Sequence, residues 1–152
     1  MGKYFTIEEL CESEKANELK IENTPNEQQT KNLEELIKVI DGIREAWTQL
    51  CRKNKWGSAA IQTNSGFRNN ELNKAVGGSK TSAHLLGYAI DFEPVNQRNL
   101  EFYNFCIDYL KTNNIAWDQL INEKPRCQKP SWIHLGLKNS KGQQRRQIFT
   151  KV

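Results

Sequence analysis

The sequence predicts an α+β domain, a small antiparallel sheet with helices packed on it. Two observations lead there. Apolar residues recur at three- and four-residue spacing through one long stretch, and shorter stretches further on alternate apolar with polar residues in strand fashion. The predicted order is helix, strand, helix, strand, helix, strand, strand.

Taken in chain order, Phe5-Thr6-Ile7-Glu8-Glu9-Leu10 has a Thr three residues ahead of a Glu with apolar neighbours, the pattern of a short capped helix. Residues 15–26 read as a turn-rich connection ending in Asn23-Thr24-Pro25. From Asn26 the stripe Leu33, Leu36, Ile37, Ile40, Ile43, Trp47 and Leu50 predicts one long helix with a single buried face. Ala59, Ile61 and Thr63 alternate as a strand within 56–63, and Asn64-Ser65-Gly66 is expected to turn the chain. A short helix over Asn70 to Val76 closes at Gly77-Gly78, and Tyr88 to Phe92 reads as a strand. Arg98 to Asn113 carries a thick apolar face that includes Leu100, Phe102, Phe105, Cys106 and Leu110, a second amphipathic helix. Asp118 to Asn122 and Trp132 to Leu137 are two further strands, separated by a Pro-bearing loop over 124–130.

A chain of 152 residues suits one domain, residues 1–152, with a core large enough to need no disulfides. Hydrophobic residues at 37% and charged residues at 26% exclude a disordered chain, and no apolar run is long enough for a membrane span. The opening MGKYFTIEEL lacks the basic-then-apolar pattern of a secretory signal, so the protein is expected to be made and kept in the cytoplasm. Cys11, Cys51, Cys106 and Cys127 are widely spaced, without a CxxC pair or a neighbouring histidine, and read as reduced thiols. The net charge of +4 favours an anionic partner. Much of it sits in a basic tail over 138–152, where Lys138, Lys141, Arg145, Arg146 and Lys151 form either a solvated tail or edge strand, or a wall-binding patch. Aromatic residues follow the apolar helix stripes and are not interleaved with the basic ones, which argues against nucleic acid as the partner. A monomer is expected.

Two histidines are present, His84 and His134, and Asp91 follows His84 by seven residues. A lone histidine is commonly a buried structural residue. Two of them beside strand-like apolar segments, with a carboxylate near one, also match a recurring catalytic zinc arrangement that leaves the fourth tetrahedral position open. Spacing alone leaves both readings standing.

The motifs around these residues carry a family resemblance. Ser82-Ala83-His84-Leu85-Leu86-Gly87-Tyr88-Ala89-Ile90-Asp91 resembles the SxHxxGxAxD signature of the M15 peptidases, and Trp132-Ile133-His134 resembles their closing WxH. Ser65-Gly66-Phe67-Arg68-Asn69-Asn70-Glu71-Leu72-Asn73 is similar to their SGxRxxxLN block. Likeness extends over about residues 4 to 138, including Asn23-Thr24-Pro25 and Asp41-Gly42-Ile43-Arg44. It implies the Hedgehog/DD-peptidase-like fold, one Zn2+ held by His84, Asp91 and His134, and cleavage of peptidoglycan stem peptides by a D-Ala-D-Ala carboxypeptidase or L-alanyl-D-glutamate endopeptidase. The small branch it resembles is phage- and bacteria-borne. A phage endolysin, a virion-associated enzyme and a cytoplasmic recycling enzyme are all consistent with it.

Residue chemistry fills in the rest. Gly87 is expected at a turn that needs positive φ or close backbone approach. Ala89 shares a strand face with Asp91, where a larger side chain would crowd a metal. Ser82 either fixes a ligand or substrate amide or is a turn serine, and Trp132 either walls the site or fills the core. Zinc lowers the pKa of its bound water to ~7 but leaves a proton acceptor to be found. The resembling families often place a carboxylate three residues before the last histidine, and Ser131 stands there instead. Trp117-Asp118-Gln119-Leu120-Ile121-Asn122-Glu123 resembles the DQLIxE strand of the small branch, and Glu123 is chosen as the base because it can face the site. Asp118, odd in register with it, is expected on the opposite face. Arg68, from the SGxR block, is expected to bind substrate or stabilise an oxyanion. Glu93 is expected to end a strand in solvent. A non-catalytic zinc-containing wall-binding module of the same fold is the alternative.

Overall fold

The structure, a computed structural model, describes residues 2–124 and 131–152. Thr6 accepts a hydrogen bond from the Glu9 amide at 3.1 Å and so caps helix α1, Ile7–Cys11. Ser13 caps a second short helix, α2, Glu14–Glu18, in the stretch expected to be a connection. That stretch lacks apolar periodicity because α2 buries only Ala16.

Helix α3, Glu27–Asn54, begins in a capping box in which Asn26 and Gln29 serve each other's backbone amides. Its stripe Leu33, Leu36, Ile37, Ile40, Ile43 and Trp47 is buried as predicted, with Leu50 at the margin. Each fully buried side chain of this size contributes about 1.5–3 kcal/mol, so packing rather than propensity holds the helix. Asp41, on this helix, accepts the backbone N–H groups of Lys3, Tyr4 and Phe5 at 2.7, 3.0 and 3.1 Å and ties down the amino terminus.

Five strands follow: β1 Ile61–Ser65, β2 Ala89–Pro94, β3 Gln119–Glu123, β4 Trp132–Gly136 and β5 Gln147–Lys151. Helices α4, Asn70–Ala75, and α5, Asn99–Thr112, intervene. The sheet order is β1-β2-β4-β3-β5. Three of the four strand pairs, β1–β2, β2–β4 and β4–β3, are antiparallel, as expected, but β5 runs parallel to β3, so the sheet is mixed. β1 runs on through Ser65, the region expected to turn, by way of an irregularity between Thr63 and Ser65. Part of the basic tail forms the edge strand β5.

One sheet face is the core. Ile90, Phe92, Leu120, Ile133 and Leu135 lie there beneath α3 and α5, and Phe102 of α5 meets Trp47 and Phe92 edge-on at 5.1 and 5.2 Å. Because side chains alternate, Asp91, His134, Ile121 and Glu123 occupy the other face. Cys11, Cys51 and Cys106 are free thiols, while Cys127 and most of the expected 124–130 loop lie outside the described residues. Burial pushes the Cys11 thiol up to about 11, an inert rather than a reactive cysteine.

Candidate metal centre

His84 sits in a 3₁₀ turn, Ala83–Leu86, whose hydrogen bonds fix it from three sides. Ser82 caps the turn and accepts from the His84 amide at 3.2 Å. From α3, Gln29 and Asn32 donate their side-chain amides to the carbonyls of Leu85 and Leu86 at 3.0 and 2.8 Å. Gly87 closes the turn at φ +82°, and a Cβ there would meet the Gln29 carbonyl oxygen at 2.7 Å, so both expected reasons for glycine apply. The chain then enters β2, where Ala89 and Asp91 share a face and Ala89 is fully buried. Asp91 pairs in register with His134 of β4 on one side and with Ser65 of β1 on the other.

These elements bring His84, Asp91 and His134 together, with one donor atom from each lying within 4.8 Å of the others. His84 Nε2 is 3.3 Å from one Asp91 oxygen and His134 Nδ1 is 2.9 Å from the other. The opposite nitrogen of His84, Nδ1, stands 2.7 Å from the Gly66 carbonyl oxygen, which can only accept. Nδ1 therefore carries the proton, and in the neutral ring Nε2 presents a lone pair to a carboxylate oxygen. Two acceptors facing each other at that distance require a positive charge between or upon them. Two imidazole nitrogens and a carboxylate, one ring oriented from behind by a backbone carbonyl, are a donor set that fits a divalent metal and leaves coordination positions open. Burial would push the Asp91 carboxyl up, but the two histidines outweigh it and hold it well below the usual carboxylate range.

The three residues line a groove of ≈ 680 Å³ together with Arg68, Ser82, Glu123 and Trp132, all expected at the site. Arg68 donates its backbone N–H to the His84 carbonyl at 3.1 Å and an Nη2 hydrogen to Ser82 Oγ at 3.4 Å, so Ser82 touches both the metal-site turn and the arginine. Burial lowers the Arg68 pKa from its ordinary value, against the opposing pull of Asp91. Its Nε is buried without a hydrogen-bond partner among the described residues. Glu123 and Trp132 are cross-strand partners next to the Ile121–His134 pair. A larger depression of ≈ 1020 Å³ between α2 and β1 shares Arg68 but none of the three metal-site residues.

One expectation is corrected. Asp118 does not point to the opposite face; it lines the same groove. It precedes the regular strand β3, so pleat alternation does not reach it. Arg145 grips its carboxylate through Nε at 2.8 Å, Nη2 at 2.9 Å and the backbone N–H at 3.1 Å. Burial would raise the Asp118 pKa, but these contacts outweigh it and hold the carboxyl below the usual range. Glu93 is half-buried and accepts from Asn64 Nδ2 at 3.4 Å, apart from the groove. Asn99 of α5 donates to the carbonyl of Ser131 and, at 3.1 Å, to its hydroxyl, which ties that position to a helix start.

A family model described as Peptidase M15 matches residues 3–119. The chain belongs to the Peptidase M15 family. The matched span of this M15 chain contains Arg68, His84 and Asp91, whereas His134 and Glu123 lie beyond it and reach the site through the sheet. M15 peptidases are metallopeptidases, in accord with a His–Asp–His group that can hold a metal. No curated protein matches the M15 chain.

Among residues whose amides and guanidinium hold the M15 site from outside, sequence reasoning passed over Gln29 and Asn32 and placed Arg145 only in the basic tail. Asn23 is another, bonding the Cys11 and Phe67 carbonyls at 2.9 and 2.8 Å and the Asn69 amide at 2.8 Å. Its place in Asn23-Thr24-Pro25, within the resembling opening, is the one signal that pointed to it.

Proposed function

We propose that the chain is a zinc-dependent peptidase that hydrolyses peptide bonds in peptidoglycan stem peptides, as a carboxypeptidase or endopeptidase, and that it acts on the wall as a phage-type endolysin. The observation that carries this reading is the convergence of His84 Nε2, the Asp91 carboxylate and His134 Nδ1 at the floor of an open groove in an M15 chain. Zn2+ held there supplies a Lewis acid that polarises the scissile carbonyl and makes water nucleophilic near neutral pH.

The chain's own residues do the rest. Glu123, on the same sheet face as His134, accepts the proton of the attacking water and returns it to the leaving amine. Arg68, which lines the groove, offers its charge and its outer guanidinium N–H groups to the developing oxyanion or to a substrate carboxylate. Ser82 keeps Arg68 and the His84 turn in register, and Trp132 walls the groove beside Glu123. Asp118 is a weaker choice of base because Arg145 occupies both its oxygens.

A second reading, a wall-binding module of the same fold that holds metal without catalysis, is favoured by one observation, Ser131 where related enzymes often carry a carboxylate. Purified protein incubated with peptidoglycan, with and without a chelator, separates the two. Chelator-sensitive release of peptide fragments supports the peptidase; wall binding without release supports the module. Mass analysis of the fragments identifies the bond cut.

A further inference from the structure

The groove has an unequal rim. Four cations line it, Arg68 on one side and Lys141, Arg145 and Lys151 on the other, against the acids Asp91, Asp118 and Glu123. Asp91 faces the two histidines and Asp118 is neutralised by Arg145. That leaves Arg68, Lys141 and Lys151 against Glu123 alone. Neither Lys141 nor Lys151 forms an ion pair among the described residues, although Lys151 stands beside Glu123 in the parallel register of β5 and β3.

The backbone of this rim is held in place. The loop bearing Lys141 is braced on Asn139, whose side chain accepts the amides of Lys141 and Gln143 at 3.0 and 2.8 Å and whose backbone N–H bonds the Gln143 carbonyl. Asp118 then fixes Arg145, and β5 zips onto β3 as far as Lys151. The whole lip, residues 138–151, lies beyond the span that the family model matches.

We propose that this lip selects the substrate: Lys141 and Lys151, with the remaining N–H groups of Arg145, recognise peptides that carry a free carboxylate on a residue flanking the scissile bond. The proposal rests on the peptidase reading and narrows it to acidic stem peptides. Lys141 and Lys151 are exposed, so their replacement leaves the metal site and the fold in place.

The test uses three synthetic peptides, L-Ala-γ-D-Glu-L-Lys-D-Ala-D-Ala and two counterparts, one with the D-Glu α-carboxyl and one with the terminal carboxyl as an amide, so that the carboxylate flanking either bond is removed in turn. Binding to the zinc-loaded chain is measured in a Glu123→Gln background, where affinity is read whether or not a bond is cut, and kcat and KM are measured in the wild type. The acidic peptide is expected to bind roughly three- to tenfold more tightly than the amide that lacks the carboxylate beside the bond cut, the range of one or two exposed charge contacts. The Lys141→Gln/Lys151→Gln pair should abolish that preference in the binding measurement and in the ratio of the KM values, with zinc content unchanged. At about 0.5 M salt the preference should shrink in the parent and stay absent in the variant. Equal binding of all three peptides, or a preference that survives in the lysine variant, overturns the proposal. A lysine-dependent preference in a wild type that cuts none of the peptides upholds the lip and rejects the peptidase reading.

Discussion

Asp118 and Glu123 face the same groove, and their surroundings differ. Arg145 holds the Asp118 carboxylate through two side-chain bonds, whereas Glu123 enters no ion pair among the described residues. Glu123→Gln is therefore expected to lower kcat by about 10²–10⁴ while zinc stays bound. Asp118→Asn should keep turnover and lose about 1–2 kcal/mol of stability from the broken charged bonds. That loss depends on pH in a definite sense. The Asp118 pKa is depressed by folding, so its contribution is present above the unfolded value of about 3.9 and disappears as pH falls through the lower folded value. Denaturant titrations of the two proteins should accordingly diverge above about pH 5 and converge in stronger acid; a gap independent of pH would refute the assignment. His84→Ala and Asp91→Ala each remove one of three protein donors, and both should fold yet bind zinc below one per chain, as metal analysis would read.

How much an element reveals of itself in sequence depends on what it buries. α3 was legible over nearly its whole length because 28 residues repeat one stripe, and the Asn26 cap marks its start. α2 was not, since five residues with one buried alanine leave no periodicity. β5 was legible only as one of two readings, because most of its side chains are exposed and its partner is the backbone of β3. The parallel pairing depends on the Asn139 loop and the Asp118–Arg145 grip, contacts between distant residues that local pattern does not encode. The metal-site residues stood out for a different reason, two histidines in the entire chain, both within dense motifs. The turn that carries His84 was legible through Gly87, and its failure can be forecast. Gly87→Ala combines a strained φ with a 2.7 Å approach to Gln29, so a loss of about 1–2 kcal/mol or more is expected, with zinc affinity falling alongside the melting temperature.

Across the whole molecule, the core and the site are the two faces of one sheet, so the packing that buries Phe92, Ile133 and Leu135 also aims Asp91 and His134. The order of the strands adds something more. β4, which carries His134, lies inside the sheet between β2 and β3, and 43 residues separate it in sequence from Asp91. A cation bound to all three side chains ties that interval into a closed ring, much as a crosslink would, and its loss must accompany any withdrawal of the central strand. Metal should thus set the lifetime of the native protein more than its shape. Chelation is expected to speed unfolding in denaturant severalfold while the native circular dichroism stays the same, and unfolding rates that ignore the chelator would show that β4 leaves the sheet without releasing the ion.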